Sequence, residues 1–443
     1  MEKRIGLHFY INVRNFNDIV EDEEQRGGVN HSIHALDTLF SLTEQYGKTN
    51  YPEAFVVEKI TGGRLHMYAY GAARETYNIA ASVTSYAAAV ASFMSSDISK
   101  YKTLLQFELQ AGVAHSRFYE FEFKRDSYEE MTTIGFACNF AAKLQGLANA
   151  GSIAVSKDVY DSLDAKEQLT FNLKSHPSIY KYNQAYYYET RINRLSAHVV
   201  LTDKNKEDIS NYANKRNLTD MNFPDVTRSL SLETLSPSNG LRIEGIPVFA
   251  DVRGFTSQFK PDDSNLAEMA EKTKKLLETL YSTTVDNGGN HVQFQGDREF
   301  ALYHNIGDTR CFKDAVLGGM RMIDAVKPYT VHIGVGEAFG KMYAVRIGAR
   351  GEKDKLIIGR IVNIADSLED ERAGEDQLAI SAEVYEGLKK QDSELTKQFR
   401  QIDSDVYITT QGYSAYTDKL KFAKQRTETK NHGYNGAWGI VLK

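Results

Sequence analysis

The sequence is poor in cysteine, proline and tryptophan, and its net charge is small and negative. Its 443 residues include two cysteines, seven prolines and one tryptophan. Cys138 and Cys311 lie in different halves, which argues against a disulfide framework and favours a reducing, cytoplasmic location. The formal net charge of −6 argues against a partner such as nucleic acid, which is bound through many phosphate contacts.

The sequence also lacks a long apolar run. We expect no signal peptide, because the first six residues, MEKRIG, are not an apolar stretch. The most apolar run, 77–94, is rich in alanine but is interrupted by serine, asparagine and threonine. A membrane-spanning helix needs about 20 predominantly apolar residues. We therefore expect no membrane partner, and we predict that this run is a helix packed against a sheet.

What the sequence does contain is an internal duplication. Four blocks recur in the same order, and the later ones keep an offset of about 225 positions. The pairs are 10–16 (YINVRNF) with 249–255 (FADVRGF), 62–72 with 288–297, 134–141 with 358–365, and 156–160 with 381–385. Chance matches would not stay in register, so the pattern indicates two related halves.

The duplication predicts two domains, which also suits the length of the chain. The stretch between the repeats is rich in Lys, Asn, Asp, Ser and Thr, a composition typical of a linker. We predict domains at 1–200 and 241–443, joined by a linker at 201–240. Short apolar runs alternate with helical patterns in each half, which predicts an α+β fold with helices on one face of a sheet.

Two aspartates of the second half suggest chemistry. Asp251 follows an apolar strand, and Asp297 lies at the predicted tip of a hairpin. Carboxylates at neighbouring strand ends can hold divalent cations against the phosphates of a nucleotide. In such sites one metal lowers the pKa of the attacking oxygen and the other neutralises the triphosphate. Either aspartate alone is equally typical of a turn or a helix cap, so the interpretation of the two aspartates depends on the motifs around them.

Three motifs of the second half, FADVRGFTS (249–257), QGDREFA (295–301) and GRIVNIADSL (359–368), resemble the signature blocks of class III adenylate and guanylate cyclases. The resemblance implies two tandem ferredoxin-like cyclase domains that form a pseudo-twofold dimer within one chain. It implies that Asp251, its neighbour Val252 and Asp297 bind two Mg²⁺ or Mn²⁺ ions. It also implies that an Asn and, four residues later, an Arg of the other domain stabilise the transition state.

The first half departs from this pattern at the metal positions. Asn12 stands at the first and, in the alignment of 62–72 with 288–297, Ala72 stands at the second. An amide and a methyl group cannot hold two cations. The half keeps Asn139, and Lys143 stands at the Arg position. Lysine keeps the charge but loses the bidentate fork of arginine, and an exposed helix lysine is the alternative interpretation.

The second half departs at the complementary position. It keeps both aspartates and Asn363, but Ser367 replaces the Arg. The resemblance therefore implies one working site that combines the two aspartates with Asn139 and Lys143 as catalytic residues. The other site would combine Asn12 and Ala72 with Ser367 and would be inactive.

Further residues are predicted to bind the substrate phosphates. The loop 253–256 offers backbone N–H groups at a probable helix start, which suits an anion, so we predict contacts from Phe255 and Thr256. Lys341 and Lys181 lie near the positions where the family places phosphate-binding cations. A solvated surface lysine is an equal alternative for each of them.

The base is read in this family from two positions of the partner domain. One lies four residues before the second metal position and is usually Lys in adenylate cyclases and Glu in guanylate cyclases; counted from Ala72, it is Tyr68. The other lies seven residues before the Asn and is Thr132, whose hydroxyl donates or accepts. The ring of Tyr68 would fill volume that a purine needs, which favours a pyrimidine. The alternative is that Tyr68 simply packs at the domain interface.

The tandem form and Tyr68 resemble the Pycsar-type pyrimidine cyclases of bacterial anti-phage defence. The resemblance implies that CTP is converted to cyclic CMP, a messenger for a downstream effector. We expect a monomer with an intramolecular domain pair, or a homodimer. The alternatives are an adenylate cyclase that reads adenine through Thr132 and a catalytically silent nucleotide-binding regulator.

Overall fold

The computed structural model describes residues 1–125, 128–215, 223–235, 240–260, 264–348 and 354–409, together with 412, 414, 416 and 417. The described residues form one eight-stranded and one nine-stranded sheet, with helices packed against them. The predicted α+β fold of two related halves is confirmed.

The first half is built around a central strand, β1, which pairs with β3 on one side and with β4 on the other. Its sheet has the order β2-β3-β1-β4-β6-β8-β7, and β5 pairs with β4. The elements are β1 (Glu2–Val13), α1 (Phe16–Gln25), α2 (Asn30–Asn50), β2 (Phe55–Thr61), β3 (Arg64–Tyr70), α3 (Ala73–Asp97), β4 (Leu109–Arg125), β5 (Tyr128–Ile134), α4 (Phe136–Leu147), β6 (Ser152–Val155), α5 (Lys157–Asp161), α6 (Ala165–Gln168), β7 (Asn172–Lys174), β8 (Tyr187–Arg191) and α7 (Asp203–Lys215).

The second half repeats this topology. Its sheet has the order β10-β11-β9-β12-β15-β17-β16, and β13 pairs with both β9 and β14. The elements are β9 (Leu241–Val252), α8 (Leu266–Asp286), β10 (Asn290–Gln295), β11 (Arg298–His304), α9 (Phe312–Ala325), β12 (Ile333–Glu337), β13 (Gly340–Ile347), β14 (Asp354–Ile358), α10 (Arg360–Ser367), a π-helical turn (Leu368–Arg372), β15 (Gln377–Ser381), α11 (Ala382–Gln391), α12 (Ser393–Thr396), β16 (Arg400–Asp403) and β17 (Val406–Thr409).

The two hairpins fix which residues are equivalent. The β2–β3 hairpin turns at Gly62-Gly63, and the β10–β11 hairpin turns at Gly296-Asp297. Gly63 is therefore the counterpart of Asp297, and the predicted equivalence of Ala72 with Asp297 is wrong. Ala72 lies beyond the far end of β3, at the start of α3.

The error has a simple origin in the sequence. A Gly-Gly pair occurs at the tip of the first hairpin, whereas in the second half the pair Gly288-Gly289 precedes β10. Aligning these two Gly-Gly pairs shifted the alignment of the two hairpins by one strand. The conclusion that the first half lacks the second metal carboxylate is unchanged, because Gly63 has no side chain to offer a cation.

The halves exchange β-arms. From the arm β4–β5, Phe121, Phe123 and Ile134 are buried in the hydrophobic core of the second half. From the arm β13–β14, residues including Val345 and Leu356 are buried in the core of the first half. Burial of apolar area stabilises contacts of this kind by roughly 25 cal/mol per Å². Each half therefore completes the core of the other.

Two segments need separate mention. Within the predicted linker, α7 packs on α2 and α3 and buries Ile209 and Ala213 completely, so this stretch carries packed structure.

Among the described residues, α3 has the length and apolar composition to cross a membrane, and 67% of its most apolar window is buried. That burial agrees with the predicted helix packed against a sheet.

Candidate active site

A cavity of about 300 Å³ lies between the two halves. Residues of both halves line it, including most of those predicted to act in one working site. From the first half come Asn139, Lys143 and Lys181, and from the second half come Asp251, Val252, Phe255 and Asp297.

The aspartates project from neighbouring strand ends, as the motif pattern predicted. Asp251 precedes the last residue of β9 and pairs with Gly334 of β12. Asp297 lies in the β10–β11 turn after Gly296, whose φ of 74° favours glycine. A Cβ on Gly296 would lie 3.2 Å from Asn139 Oδ1. The turn therefore brings Asn139, in the first turn of α4, close to the hairpin that carries Asp297.

Both carboxyl groups have raised pKa values. Burial raises the pKa of Asp251, while Arg298 and Arg253 oppose that rise. Burial also raises the pKa of Asp297 well above its usual range, and the neighbouring Asp251 raises it further. Two carboxylates held together in a buried site fit hard divalent cations such as Mg²⁺ or Mn²⁺, whose charge would relieve the repulsion.

Two lysines face the aspartates across the cavity. Burial lowers the pKa of Lys143, the neighbouring Lys181 lowers it further, and Asp370 opposes the shift. Lys181 is exposed, and its Nζ lies 5.5 Å from the centre of the Tyr182 ring. Asp370, from the π-helical turn, also lines the cavity. It was missed because it lies outside the three motifs and nothing in its local sequence marks it.

The loop after β9 contributes less than predicted. Phe255 lines the cavity and is 3% exposed. The backbone of Thr256 begins a three-residue 3₁₀ helix, Thr256–Gln258, but the side chain of Thr256 lies outside the part of the chain that the structure describes. Its predicted phosphate contact stays a prediction.

Tyr68 does not reach this cavity. Its side chain is 1% exposed, packs against Phe118 and Cys138, and donates a hydrogen bond to Glu120 Oε1 at 2.6 Å. Counted from Gly63, the position four residues before the second metal position is Lys59. The alternative interpretation has Tyr68 packed at the domain interface. The contacts with Phe118, Cys138 and Glu120 are all within the first half, and Tyr68 also lines a cavity of about 520 Å³ that residues of both halves share.

Thr132 and Lys59 lie together, outside the lining of the cavity with the aspartates. Lys59 Nζ is 3.5 Å from Thr132 Oγ1 and donates to the carbonyl oxygen of Phe294 at 3.1 Å. Lys59 also pairs with Glu130. Lys341 is exposed on β13, opposite Glu244, and does not line the cavity either.

The counterpart of the working site is a cavity of about 180 Å³. Its lining includes Asn12, Asn363, Arg64 and Arg298. Ser367 lines a separate surface pocket. The positions equivalent to Asp251 and Asp297 are thus Asn12 and Gly63, and the carboxylate in the lining, Asp366, is ion-paired with Arg298 at 2.5 Å, which does not suit a divalent cation.

One further group has the composition of a metal site. The ligand atoms of His8, Glu58 and His66 all lie within 4.8 Å of one another. The histidine rings bond to each other at 3.0 Å, and His66 Nδ1 lies 3.1 Å from Glu58 Oε2. The remaining nitrogen of His8 contacts Cys138 Sγ at 3.3 Å. These contacts occupy every ring nitrogen of the two histidines.

Comparisons with known proteins bear on the fold. No protein-family model matches the chain. The solved structure of a class III adenylyl cyclase-like ATP-binding protein from Pseudomonas aeruginosa is 16% identical, with a TM-score of 0.67 over 94% of this chain and 90% of that one. A uridylate cyclase from Pseudomonas aeruginosa is 26% identical over 160 residues, which are 30% of this chain and 30% of that protein. The match thus spans under a third of the curated relative.

The structural likeness extends over both halves and agrees with the repeated strand order. At 16% identity this likeness bears on the fold alone. The chain has a tandem class III cyclase-like fold.

Proposed function

We propose that the chain is a nucleotidyl cyclase that converts a nucleoside triphosphate to a 3′,5′-cyclic nucleotide and pyrophosphate. The observation that carries the proposal is the composition of one cavity, in which Asp251 and Asp297 of one half face Asn139 and Lys143 of the other. The complementary departures of the two halves from the family pattern support a single working site.

The residues have distinct roles in this proposal. Asp251, Val252 and Asp297 hold two divalent cations, which supply activation of the attacking oxygen and neutralisation of the triphosphate when bound. Asn139 orients the ribose so that its 3′-oxygen faces the α-phosphorus. Lys143 places positive charge on the α-phosphate as the bond to pyrophosphate breaks. Positioning and charge stabilisation carry such reactions, since no covalent enzyme intermediate is needed.

Several contacts around the triphosphate belong to the proposal as well. Phe255 lies against the substrate, and Lys181 sits at the mouth of the cavity, where its exposed ammonium group can meet the outer phosphates. The backbone of the loop at Thr256 is a further contact. Lys341 is not part of this site.

For the base, CTP is our first candidate and ATP the second. The likeness to a uridylate cyclase supports a pyrimidine, whereas the argument from Tyr68 does not, because the hairpin register puts Lys59, not Tyr68, at the position which that argument used. ATP is favoured by Lys59, which stands where adenylate cyclases carry lysine and lies beside Thr132. The structural relative that is described as ATP-binding points the same way.

The proposal extends to the role of the product. A cyclic pyrimidine nucleotide would serve as a second messenger for a downstream effector in anti-phage defence, in the cytoplasm. Because the two halves complete one site, a monomer suffices, and a homodimer with exchanged halves is the alternative.

The test is to incubate the purified chain with ATP, GTP, CTP and UTP separately, with Mg²⁺ or Mn²⁺, and to identify products by mass. Cyclic CMP supports the first candidate and cyclic AMP the second. Absence of any cyclic nucleotide, together with tight nucleotide binding, would favour a silent regulator and contradict the proposal.

A further inference from the structure

A buried carboxylate connects the two strand ends that carry the aspartates. Glu369, in the π-helical turn, is 2% exposed. Its Oε1 lies 2.7 Å from Arg253 Nη2, and its Oε2 lies 2.7 Å from Arg298 Nη2. Arg253 stands two residues after Asp251, and Arg298 directly follows Asp297.

Further contacts hold each of the two arginine side chains in place. Arg253 Nη2 also donates to the carbonyl oxygen of Ala373 at 2.8 Å. Its guanidinium group crosses β12 at Gly334, where a Cβ would lie 1.7 Å from Nη2. Arg298 pairs with Asp366 at 2.5 Å and lies 4.2 Å above the ring of Phe249. Glycine on β12 is therefore needed for this arrangement.

One of these arginines is close enough to compete for a metal ligand. Arg253 Nη1 lies 4.0 Å from Asp251 Oδ2, a gap that a small rotation of the side chain would close. Arginine–carboxylate pairs are among the strong contacts in proteins. An Asp251 paired in this way would offer fewer lone pairs to a cation. The shorter contact with Glu369, at 2.7 Å, keeps the guanidinium group of Arg253 from moving toward Asp251.

The first half provides an internal comparison for Glu369. A Cβ on Gly336 would meet the backbone nitrogen of Glu369 at 2.4 Å, and a Cβ on Gly112 would meet that of Gln145 at 2.0 Å. The same close packing identifies Gln145 as the counterpart of Glu369. Glutamine is neutral and cannot anchor two guanidinium groups through charge.

The arginine positions themselves are occupied in both halves. Arg14 and Arg64 are the counterparts of Arg253 and Arg298, and Arg14 pairs instead with Glu108 at the surface, at 3.2 Å. The carboxylate at position 369 is thus present in the half with the metal aspartates and absent from the half without them.

We propose that Glu369 is a positioning residue of the metal site, which holds Arg253 away from Asp251 so that Asp251 remains free for cations. The inference rests on the proposed function, because it presumes that these aspartates bind metal. It concerns cation binding rather than turnover, so the two can be tested separately.

The experiment measures Mn²⁺ binding to the full chain without nucleotide, by electron paramagnetic resonance of the free ion. We expect Glu369→Gln to weaken binding roughly tenfold or more, as is typical when an outer-shell partner of a metal site is lost. The occurrence of Gln145 at the equivalent position shows that the fold accommodates glutamine there. Glu371→Gln, an exposed residue of the same turn, is the matched control and should bind Mn²⁺ like the wild type.

A double variant separates competition from a structural role. Adding Arg253→Gln to Glu369→Gln removes the competing cation, so Mn²⁺ binding should recover. Arg253→Gln alone should bind Mn²⁺ at least as tightly as the wild type. If Glu369→Gln does not fold, this single variant provides the test. Unchanged binding in Glu369→Gln, no recovery in the double variant, or weaker binding in Arg253→Gln would overturn the inference. A wild-type chain that binds no Mn²⁺ would overturn the proposed metal site as well.

Discussion

Lys59 Nζ lies 3.5 Å from Thr132 Oγ1, in the contact between the two halves. The pair joins β2 and β5 of the first half, and Lys59 also reaches the carbonyl oxygen of Phe294 in the second half. A buried ammonium group next to a hydroxyl can donate to a ring nitrogen or carbonyl of a base while the hydroxyl accepts. Lys59 also lines a cavity of about 520 Å³ that residues of both halves share, and we propose that this pair takes part in base selection.

The first prediction concerns Lys59. Lys59→Gln should raise the KM for the preferred nucleotide about tenfold or more and reduce discrimination among the four bases, because a charged donor is lost. The measurement is kcat and KM for each triphosphate, on protein whose folding has been checked by circular dichroism. Lys48→Gln, on an exposed part of α2, is the control. Unchanged selectivity in Lys59→Gln would show that the base is read elsewhere.

Tyr68 yields the opposite prediction. Tyr68→Phe removes one hydrogen bond to Glu120, which Tyr70 also contacts. We expect a loss of about 1 kcal/mol in the free energy of unfolding and the same nucleotide preference as the wild type. Denaturant unfolding and the four-nucleotide assay check the two parts. A switch in nucleotide preference would restore Tyr68 as a base-reading residue.

Replacing either of the proposed metal-binding aspartates should abolish activity without lowering the stability of the metal-free protein. Asp251→Asn and Asp297→Asn should each abolish cyclisation, because an amide binds hard cations poorly. Without metal, both variants should melt at the wild-type temperature or above, since burial raises the pKa of both carboxyls and repulsion from Asp251 raises that of Asp297 further. Asp286→Asn, at the exposed end of α8, is the control for both assays. A marked loss of metal-free stability would contradict the repulsion argument.

A pH dependence is expected from Glu337, far from the motifs. Both its carboxylate oxygens lack a hydrogen-bond partner among the described residues, and burial raises its pKa from 4.5 to about 8. Because the folded pKa is the higher one, the stabilisation is complete below pH 4.5 and is lost as the pH rises through about 8. The total loss is on the order of several kcal/mol.

The matched variant for this prediction is Glu337→Gln. Denaturant unfolding from pH 5 to 9 should show wild-type stability falling toward high pH, and the variant should fall much less. Parallel curves for the two proteins would contradict the assignment of the pH dependence to Glu337.

Much of the fold could be predicted because the duplication repeats short motifs at strand ends. Asp251, Asp297, Asn139 and Lys143 were predicted from those motifs, and the structure brings them to one cavity. The residue four positions before the hairpin tip could not be identified from the sequence, because a repeated Gly-Gly pair gave a false alignment that only strand pairing resolves. Contacts set by distant packing, such as those of Glu369, leave no local signal in the sequence.

The most direct test of the account compares two equivalent asparagines. Asn139 lines the cavity with the aspartates, and its counterpart Asn363 lines the cavity around Asn12. If one working site is built from both halves, Asn139→Ala should lower kcat for cyclisation by about 10²- to 10³-fold, while Asn363→Ala should leave it near the wild-type value. Equal losses in the two variants, or a fully active Asn139→Ala, would contradict the account.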